Sequence, residues 1–183
     1  MSKSNNDLYV TSECTALYPS LLEPSAYRSE RPSYSVTLLF DEEEKARIHA
    51  ALRTAYEDGA HVLADAMGTV PPFEALHLPV HDSALEKPGM SAYSEPFYLK
   101  AKSYYAPSVF GPNNEKLTDA RSLYSGMKCR AAIVFKAYRS GPNIGISAFL
   151  QHFKKTGEGE RITGRPTASA IFGDDAYAAD LPF

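Results

Sequence analysis

The chain reads as a mainly β domain of the α+β kind, an antiparallel barrel or sandwich with one inserted helix. Three observations predict this. Several segments alternate apolar and polar residues with period two, as strands exposed on one side do. One segment alone carries a long helical stripe with signals at both ends. The connections are long and proline-rich, with Pro71, Pro72, Pro79, Pro88 and Pro96 in one excursion, which suits irregular loops rather than a second domain.

Taken in order, Leu8–Leu17 (LYVTSECTAL) is a loosely alternating first strand. Pro19 and Pro24 bracket a turn-rich linker, continued by the polar loop from Arg28 to Pro32. Tyr34–Phe40 (YSVTLLF) is a strand with Tyr34, Val36, Leu38 and Phe40 on one face. Asp41 then caps a helix, with Glu44 three residues on as in a capping box and acids filling the first turn. Ile48, Ala51, Leu52, Ala55 and Tyr56 form its apolar stripe, and Gly59 ends it. A second short helix is expected over His61–Met67. The acids at residues 41–44 read as dipole-complementing rather than as metal ligands. His77 and His81, four apart and followed by Asp82, would suit zinc only on a helix, which Pro79 between them opposes.

The segment that follows carries the chemistry. In Phe97–Tyr105 (FYLKAKSYY), Phe97, Leu99, Ala101 and Ser103 share one face, and Tyr98, Lys100, Lys102 and Tyr104 the other. In Tyr124–Arg139 (YSGMKCRAAIVFKAYR), Cys129, Ala131, Ile133, Phe135 and Ala137 point one way. Lys128, Arg130, Ala132, Val134, Lys136 and Tyr138 point the other. The turn Ser140–Asn143 leads into a returning strand, Ile144–Phe153, and then a loop rich in Lys and Glu. Five or six strands with one helix after the second fit a small five-stranded antiparallel barrel of the OB type with long Pro-rich loops.

Charge divides unevenly along this order. Residues 1–95 hold 7 Lys and Arg against 15 Asp and Glu, residues 96–165 hold 12 against 4, and residues 166–183 hold three Asp and no base. A net charge of −3 therefore hides a localised basic surface suited to a polyanion. Cations meet phosphates and flat rings meet bases, so alternating Lys, Arg and Tyr on a strand face suit a sequence-tolerant binder of single strands. The candidate DNA-binding residues are Tyr98, Lys100, Lys102, Tyr104, Lys128, Arg130, Lys136, Tyr138, Arg139, Lys154 and Lys155. The sequence calls for no metal, cofactor or catalytic residue. A nuclease would need clustered carboxylates for magnesium, whereas the basic half offers only Glu115, Asp119, Glu158 and Glu160, all in loops. There is no Walker-type phosphate loop and no nucleophile–base grouping. An alternative stays open: a protein-interaction or virion structural module that presents the same basic strands to an acidic partner. Cys14 and Cys129, far apart and without metal-like spacing, read as buried thiols. No signal-peptide core or apolar span suggests a membrane.

Four segments carry a resemblance: YSVTLLF at Tyr34–Phe40, LKAKS at Leu99–Ser103, YSGMKCRAAIVFKAY at Tyr124–Tyr138 and GISAFLQHFKKTGEGE at Gly145–Glu160. Together they are similar to the phage and prophage single-stranded-DNA-binding proteins of the Enc34 type, over roughly residues 8–165. The resemblance implies an OB-fold core, binding to single-stranded DNA with little sequence preference, and a role in phage replication or recombination. It also implies a cytoplasmic location in an infected or lysogenic bacterial host. Residues 1–172 are then the single binding domain, and 173–183 an acidic tail ending in Pro-Phe. That tail is similar to the acidic tips of bacterial single-strand-binding proteins. Asp174, Asp175, Asp180, Leu181, Pro182 and Phe183 would dock replication or recombination proteins, carboxylates to a basic rim and Phe to an apolar pocket. Self-association and cooperative assembly on DNA are left open.

Overall fold

The computed structural model describes residues 8–26, 28 and 30–162. Among these, eight strands join one sheet: β1 Leu8–Val10, β2 Cys14–Ser25, β3 Ser33–Phe40, β4 Val80–Asp82, β5 Phe97–Ser103, β6 Ser108–Phe110, β7 Lys128–Ser140 and β8 Asn143–Gly157. The helices are α1 Glu42–Asp58, α2 Ala60–Leu63 and α3 Ser83–Glu86. None of them is long and apolar enough to cross a membrane.

The five long strands close on themselves. β2 pairs with β3, β3 with β5, β5 with β8, β8 with β7, and β7 returns to β2. All of these pairings are antiparallel except one, since Lys102 of β5 lies beside Phe149 of β8 in parallel. The expectation of a wholly antiparallel sheet is corrected there. Parallel neighbours need a long crossover, and the chain from Tyr104 through β7 to the β7–β8 turn supplies it. That crossover also holds β6, unforeseen in the sequence, which runs parallel to β8.

The first strand is interrupted rather than continuous. Leu8 stands opposite Val134 and Cys14 opposite Cys129, so the offset against β7 changes by one residue between β1 and β2. β8 occupies the other edge of β7, and both N-terminal strands share the remaining one. The break is held by a single carboxylate. Glu44, only 2% exposed, accepts from Tyr9 Oη at 2.6 Å, Ser12 N at 3.2 Å, Ser12 Oγ at 2.6 Å and Arg47 Nη1 at 3.0 Å. A buried charge is tolerable only when satisfied this fully. Asp41 caps α1 by accepting from Glu44 N at 2.9 Å. The Glu44 side chain reaches across to β1 instead of back to the cap, so half of the capping box forms.

α1 ends at Gly59 as its sequence requires, and α2 is shorter than the expected His61–Met67 helix. The linker expected around Pro19 and Pro24 is strand: β2 runs through both, with register shifts after Leu17 and Ser20 and Tyr18 at φ 49°. Proline is accommodated at such irregular positions, where no ladder donor is needed. The β7–β8 turn holds only Gly141 and Pro142, and Gly141 takes the positive φ of 59° that the turn demands. The interior is lined by Val36, Leu38, Leu99, Ile133, Leu150 and Phe153, and α1 closes one end through Ile48 and Leu52. Cys14 and Cys129 are free thiols in this core, and burial raises the Cys14 pKa to about 12.

Candidate nucleic-acid interface

The outward face of β5 is built as its alternation predicts, with one exception. Phe97, Leu99, Ala101 and Ser103 are buried in the interior, while Lys100 and Lys102 are exposed. Register places Lys100 beside Thr37 and Lys102 beside Ser35 of β3. These two short side chains are themselves nearly buried, so the lysines stand above a low polar strip. Among the described residues, no hydrogen bond or ion pair engages either ammonium; Lys102 lies 5.6 Å from the centroid of the Tyr104 ring. Arg31, from the β2–β3 connection, sits over the same ring at 4.3 Å. Tyr104 is 38% exposed and Tyr105, beyond it, 80%.

Tyr98 is the exception, and its expected role as an open stacking ring is corrected. It is 7% exposed and packs with Leu17 and Leu39, against which Ala92, Tyr93 and Ile162 also rest. Its hydroxyl donates to Glu86 Oε2 at 3.1 Å. Burial first, and then this hydrogen bond, raises its pKa to about 12. The reason lies in β4 and the 83–96 excursion, which lay their own side chains on the end of the face where Tyr98 emerges.

The β7–β8 cations have a different fate. Lys128 Nζ donates to Thr15 Oγ1 at 2.9 Å, Arg130 Nε to Thr11 O at 2.9 Å, and Lys154 Nζ to Asn114 Oδ1 at 2.7 Å. Arg139 donates through Nε at 3.2 Å and through Nη2 to Leu63 O, at the end of α2. Lys155, 5% exposed, donates to Ser122 O at 2.8 Å, pairs with Glu158 at 2.6 Å and lies 4.9 Å from the Tyr124 ring centroid. Its burial follows from a bulge. Ile133 faces Leu150 but Ala132 faces His152, so Gln151 is an extra residue and the inward phase of β8 shifts from Ile146, Ala148 and Leu150 to Phe153 and Lys155. One inserted residue turns the side chains beyond it to the other face. Lys136 is exposed and Tyr138 half-buried, both on the β7 side.

The proposed residues therefore do not form one face. β5 and β7 are separated by β8 in one direction and by β2 and β3 in the other. Lys128, opposite Thr15, is the β7 cation that continues the β2–β3–β5 surface. Sequence reading missed Tyr18, 53% exposed at the β2 irregularity, and Arg31 and Tyr105. Arg31 sits in a segment taken for a loop, where alternation gives no signal, and Tyr105 at the end of the segment read as strand. Asp174, Asp175, Asp180, Leu181, Pro182 and Phe183 lie outside the described residues.

This arrangement has counterparts. The solved structures it resembles include phage single-stranded-DNA-binding proteins. One is the single-stranded DNA-binding protein from bacteriophage Enc34 in complex with ssDNA, at TM-score 0.73 and 18% identity, covering 87% of this chain and 91% of that one. Another is gp2.5, a single-stranded DNA binding protein encoded by bacteriophage T7, at TM-score 0.63 and 13% identity, covering 91% and 99%. At such identities the likeness establishes a shared fold. No curated protein matches in sequence. The family model described as Enterobacter phage Enc34, ssDNA-binding protein matches residues 9–182, and the chain belongs to that family.

Proposed function

We propose that this protein binds single-stranded DNA with little sequence preference, across the outward face of β3 and β5, and protects or organises it during phage replication or recombination. The observation that carries the reading is the pair Lys100 and Lys102, exposed and, among the described residues, without hydrogen bond or ion pair, beside the Arg31–Tyr104 stack. The closed order β7–β2–β3–β5–β8 supports an OB-type barrel. Such barrels bind oligonucleotides on their second and third strands and on the loops after the first and fourth. Here those are β3, β5, the β2–β3 connection that carries Arg31, and the β7–β8 turn. The reaction is reversible binding with no bond made or broken: cations neutralise phosphates, and Tyr18, Tyr104 and Tyr105 offer rings to bases. Lys128 extends the surface; Lys136 and Tyr138 stand apart from it. The work would be done in the cytoplasm of an infected or lysogenic host. The acidic residues 173–183 would recruit replication or recombination proteins.

The test is fluorescence anisotropy of a labelled poly-dT oligonucleotide across a salt series, beside a duplex of equal length. Tight binding to the single strand, weakening with log salt at about −0.7 per neutralised phosphate, is expected. Absence of binding at low salt overturns the reading and gives the basic face to an acidic protein.

A further inference from the structure

We propose that His81 is a base-stacking platform at the β4 end of this face, held in its plane by Glu86 and Tyr98; this rests on the single-strand reading above. The sequence set His81 aside as a zinc ligand because of Pro79, and the fold gives it a setting of another kind. β4 pairs with β5 so that His81 stands directly opposite Tyr98, on the outward side shared with Lys100 and Lys102. The two rings stack, with centroids 5.0 Å apart and planes 24° from parallel. Tyr98 thus covers one face of the imidazole. The His81 side chain keeps 35% exposure, so part of the ring remains open to solvent.

The ring is fixed in three ways. Its Nδ1 lies 2.8 Å from Glu86 Oε1, the other oxygen of the same carboxylate accepts from Tyr98, and Tyr93 packs edge-on against Tyr98 with centroids 5.0 Å apart. The hydrogen bond from His81 is the main cause that holds the Glu86 carboxyl below its ordinary range. The nearby charged groups are Glu86 on α3, Asp82, which caps α3 through Leu85 N, and Lys87, 5.8 Å from the Tyr93 ring centroid. Two carboxylates against one displaced ammonium disfavour a phosphate here. An oriented, half-open aromatic face suits a neutral base. A ring already immobilised loses little freedom on stacking, which favours affinity. Lys100, diagonal to His81 across the β4–β5 pair, is within one nucleotide's reach for the neighbouring phosphate.

Three proteins decide it: H81A, H81F and the wild type, each checked by thermal melting and titrated with poly-dT across the salt series. Photocrosslinking to an oligonucleotide carrying 5-iododeoxyuridine accompanies them. H81A should bind at least about fivefold more weakly with an unchanged salt slope. H81F, which keeps the ring and loses both nitrogens, should stay within about twofold of wild type, and the wild-type crosslink should map to His81. Because H81F retains the aromatic packing, it reports even if H81A melts. Wild-type affinity in H81A, or equal losses in H81A and H81F with a shallower slope, overturns the platform while leaving single-strand binding intact. Failure of the wild type to bind overturns both.

Discussion

The outward faces of β5 and of β7–β8 carry the same alphabet of Lys, Arg and Tyr, yet the fold uses them for opposite ends. On β5, Lys100 and Lys102 project from a polar strip and, among the described residues, neither ammonium has a hydrogen-bond or ion-pair partner, Lys102 lying only near the Tyr104 ring. On β7 and β8, Arg130, Arg139 and Lys155 donate to backbone carbonyls and Lys154 to Asn114 Oδ1, while Lys128, bonded to Thr15 Oγ1, stays on the β2–β3–β5 surface and Lys136 is exposed. A cation that closes a backbone carbonyl is part of the architecture. A solvated one is available to a phosphate. Counting bases on strands therefore overstates a binding surface, and the discriminating quantity is the number of donors left over.

The largest expected effect tests that contrast directly. K100E combined with K102E should weaken poly-dT binding on the order of 100-fold at low salt without lowering Tm, since two favourable contacts become repulsive. An unchanged affinity breaks the comparison.

Tyr98 gives the next effect, because it separates a ring built into the face from one displayed on it. Its folded-state pKa lies above the ordinary 10.0, at about 12, so the neutral hydroxyl is favoured by folding. That contribution is complete below pH 10 and is lost as pH rises through about 12, amounting to about 3 kcal/mol. Urea denaturation should show stability falling across this window, and the fall should be smaller in Y98F.

Arg139 probes the other region. R139Q removes a charged donor pair from Leu63 O and should cost about 1.5–2 kcal/mol in urea denaturation, with poly-dT affinity within twofold of wild type. A marked loss of affinity would instead enrol β7 in the interface.

The smallest and sharpest test is the salt slope. K102M should make it shallower by about 0.7, while K154M should leave it alone. Equal changes in both erase the distinction between the two faces.

Much of this molecule was legible in its residues. The alternation of Phe97–Ser103 and of Cys129–Phe135 set their inward faces, and the Asp41 cap, the Ile48–Leu52 stripe and Gly59 set α1. These signals are local: a strand's period or a helix end is written within a few residues. The short strands β4 and β6 were illegible because three residues carry no period, and they exist only through β5 and β8. Tyr98 looked like Tyr104 in sequence, differing only in what the 83–96 excursion lays over it. So the sequence by itself determined the inward faces of the long strands β3, β5 and β7, the helix α1 and the basic half of the chain. The tertiary structure alone decided which cations remain free, because their partners lie far away in sequence: Thr11 for Arg130, Leu63 for Arg139 and Ser122 for Lys155. A hydrogen bond is satisfied by proximity in space, and no pattern along the chain announces it.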